Sequence, residues 1–247
     1  LGDIIHAMVV LQFIKKHQPE TVIDWVVEEG FKGVIEHNPH INQIHTVNLK
    51  KAKQQKSLML LFKELNKLRK LPKYDMVIDA QGLIKSAIVA KLIKANKICG
   101  FDKHSIREPL ASLMYQHTTS MAYDANTIEH NIKVICNHLD WAVSGIDIVN
   151  KLPFLSSQCK IKTPKKPYAL FIIGSTWESR NYPKEKFVQV AQALKINFLV
   201  VWGNDLEYEK AVWMAEKSDY IDVLPRLDLD SLKDRKSTRL NSSHTSI

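Results

Sequence analysis

Short runs rich in Val, Ile and Phe alternate with longer runs of helical periodicity along almost the whole chain. No other feature narrows the possible folds so far. Consecutive strands separated by a helix run parallel, because the crossover returns the chain to its starting edge. The strand-like runs are "TVIDWVVEE", residues 44–47, "YDMVIDAQG", "NKICGF", "YALFII", "NFLVVWG" and "YIDVLP". Their β-branched and aromatic content suits a pleated, buried surface, and polar residues, proline or glycine end most of them. Ile4, Ile5, Met8, Val9, Leu11, Phe13 and Ile14 give residues 4–17 one apolar side, with Asp3 at the N-cap position. A short helix and a turn at Asn38-Pro39 follow the first strand. Leu58, Leu61, Phe62, Leu65 and Leu68 recur at helical spacing within 56–71. "LIKSAIVAKLIKA", "NTIEHNIKVICNHLDWAVSG" with a Gly stop, "PKEKFVQVAQALK" with Pro183 at N1, and "LEYEKAVWMAEK" complete the series. The fold class is α/β with mainly parallel sheets, and ligands of such sheets bind at the carboxyl ends of the strands.

The alternation breaks between residues 150 and 167, where "NKLPFLSSQCKIKTPKKP" carries three prolines. This composition reads as a linker. The expected organisation is a first domain over 1–150, a linker over 151–167 and a second domain over 168–233. Residues 234–247, "DRKSTRLNSSHTSI", have neither period and resemble a translated sequencing adapter, so they read as a non-native tail.

Composition removes several classes of function. The net charge of +9 calls for an acidic partner, whether nucleic acid, an anionic membrane surface or a phosphorylated substrate. Within 50–73, nine Lys or Arg face one acid, Glu64, and interleaved Leu and Phe give the segment an apolar side. The plain account is a surface helix packed on the sheet; the functional one is a basic face on an anionic leaflet. Aromatic residues do not interleave with these cations as a base-stacking platform requires, which argues against nucleic acid. Cys99, Cys136 and Cys159 are far apart and odd in number, which fits a reducing compartment. The apolar runs are too short to span a bilayer, and Asp3 before the first of them does not fit a secretory leader. The histidines of "HNPHINQIH" match no zinc spacing and read as a polar loop. Gly-rich phosphate loops are absent, so P-loop and hydride chemistry lack support.

Seven stretches in order resemble the lipopolysaccharide heptosyltransferases. They are "LGDIIHA", "DWVVEEGF", "YDMVIDAQGLIKSA", "REPLASLMY", "GSTWESRNYP", "VVWGNDLEYEK" and "VLPRLDLDSL", and they cover 1–233. "DAQGLIKSA" with "REPLAS" is most similar to the type I enzymes, which add the first heptose of the core. The resemblance implies a GT-B fold, two Rossmann-like domains facing across a cleft, the second incomplete. It also implies a strand before Leu1 and an Asp-Thr-Gly type loop after Lys233. The chain therefore reads as a fragment truncated at both ends and inactive by itself.

The same resemblance implies the site. Asp3 would be the catalytic base that takes the acceptor hydroxyl's proton, a role that competes with plain helix capping. Arg180, where relatives often carry Lys, would stabilise the charge of the departing nucleoside diphosphate, with Ser175 and Thr176 donating to phosphate oxygens. Without the resemblance, Arg180 is a cation in a polar turn. Trp202 and Glu207 would meet the adenosine, or else serve as a packed strand-end indole and a helix N-terminal acid. Asp79, Gln81, Lys85, Arg107 and Glu108 would line the acceptor side, the cations suiting Kdo carboxylate and lipid A phosphate. The alternatives for the cations are a solvated helix lysine and a salt-bridged arginine.

The expected function is inverting transfer of L-glycero-D-manno-heptose from ADP-heptose to Kdo of lipid A. It would need no cofactor or metal and would take place in a monomer at the cytoplasmic face of the inner membrane. The alternatives are a heptosyltransferase acting later in the core, and a non-catalytic protein binding anionic lipid or nucleotide sugar.

Overall fold

The structure, a computed structural model, describes residues 1–158, 167–175 and 178–233. These form two compact units that divide between Ser156 and Ser157. The expected tail, 234–247, and residues 159–166 of the expected linker lie outside the described residues.

The first unit runs α1 (Gly2–Met8), α2 (Val10–His17), β1 (Asp24–Glu28), α3 (Lys32–Ile35), β2 (Gln43–Val47), α4 (Leu49–Gln54) and α5 (Leu58–Arg69). It continues through β3 (Tyr74–Ile78), α6 (Ile84–Leu92), β4 (Ala95–Phe101), a 3-10 turn (Pro109–Met114), β5 (His117–Thr119), α7 (Thr127–His138) and α8 (Gly145–Val149). Every strand pairing is parallel. The strands form two sheets, β1-β2 and β3-β4-β5. Tyr74 and Asp24, the first residues of β3 and β1, tie these sheets together: Tyr74 Oη donates to Asp24 Oδ2 at 2.7 Å. Asn42 and the Gln43 amide also donate to Asp24, at 2.9 and 3.1 Å. Burial raises the Asp24 carboxyl, but the hydrogen bonds from Asn42, Tyr74 and His45 outweigh it and hold its pKa below the ordinary value. Burial, then Asp24 itself, pushes the Tyr74 phenol up to about 12.

Helices pack against the sheets and one another. Val9, Val10, Phe13 and Ile14 pack with Ile132 and Cys136 of α7. Leu65 and Leu68 of α5 pack with Val89 and Leu92 of α6 over Val26 and Val77. Burying each such side chain contributes about 1.5–3 kcal/mol.

The second unit runs β6 (Tyr168–Ile172), a 3-10 turn (Glu178–Arg180), α9 (Lys184–Leu194), β7 (Asn197–Val201), α10 (Asp205–Glu216) and β8 (Ile221–Val223). Its sheet is parallel, in the order β6-β7-β8. Phe171 and Phe198 stack at 4.0 Å in a core shared with Val200, Ala211, Met214 and Ile221.

Several local expectations need correction. The helix expected over 4–17 begins at Gly2 and is interrupted at Val9; Leu1 holds the cap position and no side chain caps it. Asp3 is therefore in the first turn and does not act as the cap. Gly145 is not the stop of α7. That helix ends at His138, Asp140 takes the left-handed conformation (φ 60°), and Gly145 opens α8 under a Ser144 cap. Pro183 is the N-cap residue of α9 rather than its first helical residue. His45 belongs to β2 and is bonded to Asp24 and Tyr74 rather than lying in a loop. Residues 152 and 154 are fastened to the first unit: Leu152 and Gln12 exchange hydrogen bonds, and Phe154 O accepts from Asn38 Nδ2.

Candidate active site

A cavity of about 430 Å³ lies inside the first unit between β1 and β3. Its walls are largely apolar, from Val10, Ile14, Val27, Met76, Ile78 and Val89 among others. Polar side chains join them: Glu28 and Asp79 at the carboxyl ends of β1 and β3, Gln81 in the loop after β3, Lys85 on α6 and Asp3 on α1 all border the cavity. Four of the residues singled out from sequence are thus brought to one opening. Asp3 is exposed there on the first turn of α1, free of any capping bond.

The loop after β3 is built by Asp79. The side chain is buried, and Oδ1 accepts from the amides of Gln81 at 2.8 Å and Gly82 at 3.3 Å. Oδ2 accepts from Tyr115 Oη at 2.7 Å. Burial, reinforced by the Asp79 charge, drives the Tyr115 phenol well above its usual range, so it stays protonated and keeps donating. Gly82 adopts φ 68°, and a side chain there would overlap Ile106, so the turn requires glycine. Gln81 and Lys85 are left exposed on either side of that turn.

Glu108 acts in the same way on the next loop. Its Oε2 accepts from the Ile84 amide at 2.7 Å, satisfying an N–H at the start of α6 that has no partner within the helix. Arg107, beside it, is exposed. Asp79 and Glu108 therefore stand one layer behind the surface, where they hold the loops that present Gln81, Lys85 and Arg107.

In the second unit, Ser175 and Arg180 are exposed beyond the end of β6, and Thr176 lies outside the described residues. Trp202 Nε1 donates to Leu224 O at 2.7 Å, and its ring lies 4.6 Å from that of Tyr208. Glu207 Oε2 accepts from the Gly203 amide and Oε1 from Asn204 Nδ2, both at 2.7 Å, while Asn204 caps α10 through the Glu207 amide. The carboxylate also lies against Gly174, where a side chain would overlap it, so the loop after β6 needs glycine there. Trp202 and Glu207 thus both have fold-bound roles at the strand ends.

Sequence reasoning missed Arg226. It follows β8, and its Nη2 donates to Gly203 O at 3.3 Å. The signal was available, since a cation in "VLPR" sits just past a strand. Among the described residues, no group of three or more His, Cys, Asp or Glu could hold a metal ion. No helix among them is long and apolar enough to cross a membrane.

Comparison with known proteins adds to this geometry. The sequence model of glycosyltransferase family 9 (heptosyltransferase) matches residues 61–238. Lipopolysaccharide heptosyltransferase 1 of Campylobacter coli is 32% identical over 94% of this chain and 71% of its own length. The E. coli heptosyltransferase WaaC solved with ADP superposes with a TM-score of 0.79 at 26% identity, covering 94% of this chain and 74% of that one. The same enzyme solved with ADP-2-deoxy-2-fluoro heptose gives 0.78 at 26% identity, covering 94% and 75%. The chain thus spans somewhat under three quarters of the Campylobacter relative's length.

Proposed function

The chain belongs to glycosyltransferase family 9, the heptosyltransferases, and on that premise we propose that it transfers L-glycero-D-manno-heptose from ADP-heptose to Kdo of lipid A, in the inner core of lipopolysaccharide. The acceptor hydroxyl attacks the anomeric carbon on the face opposite the diphosphate. Its proton passes to the Asp3 carboxylate as the new C–O bond forms. The bond from the anomeric carbon to the diphosphate oxygen breaks, ADP departs with that electron pair, and the configuration inverts. Arg180, with Ser175 and Thr176, meets the charge that develops on the diphosphate. Gln81, Lys85 and Arg107 orient the acidic acceptor, and Asp79 and Glu108 keep them in place. Arg107 can grip a carboxylate with both arms of its guanidinium.

One observation carries the reading. Asp3, exposed on the first turn of α1, borders the same opening as Asp79, Gln81 and Lys85.

The protein works as a monomer, peripheral to the cytoplasmic face of the inner membrane where its acceptor is displayed. Acceptor competition tests the assignment. The product of the complete reading frame containing these residues is offered Kdo-lipid A together with an already heptosylated core. Preference for Kdo-lipid A is expected. Preference for the heptosylated acceptor would move the protein to a later step.

A further inference from the structure

α5 and the 3-10 turn Pro109–Met114 of the first unit both pack against α6. Leu65 and Leu68 of α5 share a cluster with Val89 and Leu92 of α6. Ala87 and Ala90 of α6 share another with Ala111 and Met114 of the turn. Their inner sides are committed to that packing. Their outer sides nonetheless carry large apolar groups. Leu58 is 70% exposed, Met59 83%, Phe62 66%, Leu110 64% and Leu113 80%. One exposed leucine needs no explanation, but five such side chains on neighbouring elements do. The first turn of α5 is held in helical form, since Ser57 Oγ accepts from the Leu60 amide at 3.2 Å. Leu58, Met59 and Phe62 are thus presented to water by ordered structure.

The surroundings are cationic. Lys50, Lys51, Lys53 and Lys56 on and after α4, Lys63 on α5, Lys85 on α6 and Arg107 before the turn are all exposed. Glu64, the one acid within 50–73, is buried and paired with Lys67 at 2.7 Å. The Glu108–Ile84 bond brings the start of the turn to the end of α6 that carries Lys85. Apolar side chains rimmed by unopposed cations match the boundary between anionic headgroups and acyl chains.

We propose that this face docks on an anionic membrane leaflet, with Leu58, Met59, Phe62, Leu110 and Leu113 entering the headgroup–acyl boundary and Lys50, Lys51, Lys53, Lys56 and Lys63 meeting lipid phosphates. It rests on the lipid-linked acceptor of the proposed function, and it gives that function a mode of access: the enzyme reaches its acceptor sideways along the bilayer.

Vesicle binding tests it without requiring catalysis. The chain is sedimented with vesicles of phosphatidylethanolamine and phosphatidylglycerol. The expected result is binding that the combined variant Met59→Gln, Phe62→Gln, Leu113→Gln weakens by about tenfold or more. These side chains are exposed, so the variant keeps its circular dichroism and thermal midpoint. A second variant, Phe62→Trp, reads insertion by difference: the emission of the parent's five tryptophans is subtracted, and the remaining indole emission shifts to the blue on binding. Failure of the parent chain to bind, equal binding by the combined variant, or an unshifted indole in the bound state would each overturn the proposal. The two readings separate on activity. With the product of the complete reading frame, the combined variant should slow transfer to membrane-embedded acceptor and leave transfer to a deacylated acceptor unchanged. Absence of transfer to either acceptor by the parent, with vesicle binding intact, would count against the transferase and leave the docking face standing.

Discussion

Tyr115 Oη donates to Asp79 Oδ2 across 2.7 Å, and that bond ties the loop carrying Gln81 to the residue that ends the 3-10 turn Pro109–Met114. Both partners are buried, at 8% and 6% exposure, so no water can replace either one cheaply. Tyr115→Phe keeps the ring and removes the donor. The expected loss is about 1–3 kcal/mol of stability in urea unfolding, with a raised KM for acceptor as the 79–82 loop loosens. An unchanged unfolding midpoint would show that the bond does not hold the loop.

Acid should loosen the first unit through Asp24. Its folded-state pKa is lowered, so its contribution is complete above the unfolded carboxylate range and is lost as pH falls through the folded value. Urea midpoints measured between about pH 6 and pH 3 should fall, and Asp24→Asn should fall less steeply because it lacks that titration. At neutral pH the same variant should be less stable by about 1–3 kcal/mol, since Tyr74, Asn42 and the Gln43 amide lose a charged acceptor. Parallel pH profiles for the two proteins would refute the assignment.

Arg107→Lys separates geometry from charge. A lysine keeps the cation but cannot offer two parallel N–H groups to a carboxylate. KM for the Kdo acceptor should rise about tenfold with kcat little changed, a loss of about 1.4 kcal/mol in binding. Equal KM values would indicate that Arg107 faces no carboxylate.

The two strand-end cations of the second unit should differ. Arg180→Ala is expected to lower kcat by about tenfold to a thousandfold, because in the proposed reaction it meets charge that grows as the diphosphate departs. Arg226→Ala loses a bond to Gly203 O and should mainly weaken donor binding by moving the loop after β7. Calorimetric titration with ADP distinguishes the two.

The order of elements was legible because each strand is a compact β-branched run and each long helix has a broad apolar side. Short elements were not. β5 is three residues, "HTT", with no alternation to see, and α4 is a single polar turn-and-a-half capped by Asn48. The glycine stop failed because Asp140 supplies the left-handed residue that glycine usually provides. Motif order singled out Asp3, Asp79, Gln81 and Lys85, and the fold brings these four to one cavity. The division of labour among the site residues was not legible, because the partners that commit Asp79 and Glu108 to the fold lie 36 and 24 residues away.

The most direct measurement is single-turnover heptose transfer by Asp3→Asn in the product of the complete reading frame, with ADP-heptose binding followed in parallel. Asparagine keeps the size and the polar contacts of the side chain but cannot take the proton. The account predicts donor affinity near that of the parent and a transfer rate lower by about a hundredfold to ten-thousandfold. A rate within a factor of about two would contradict it, leaving Asp3 a residue of the first helical turn and the site without its base.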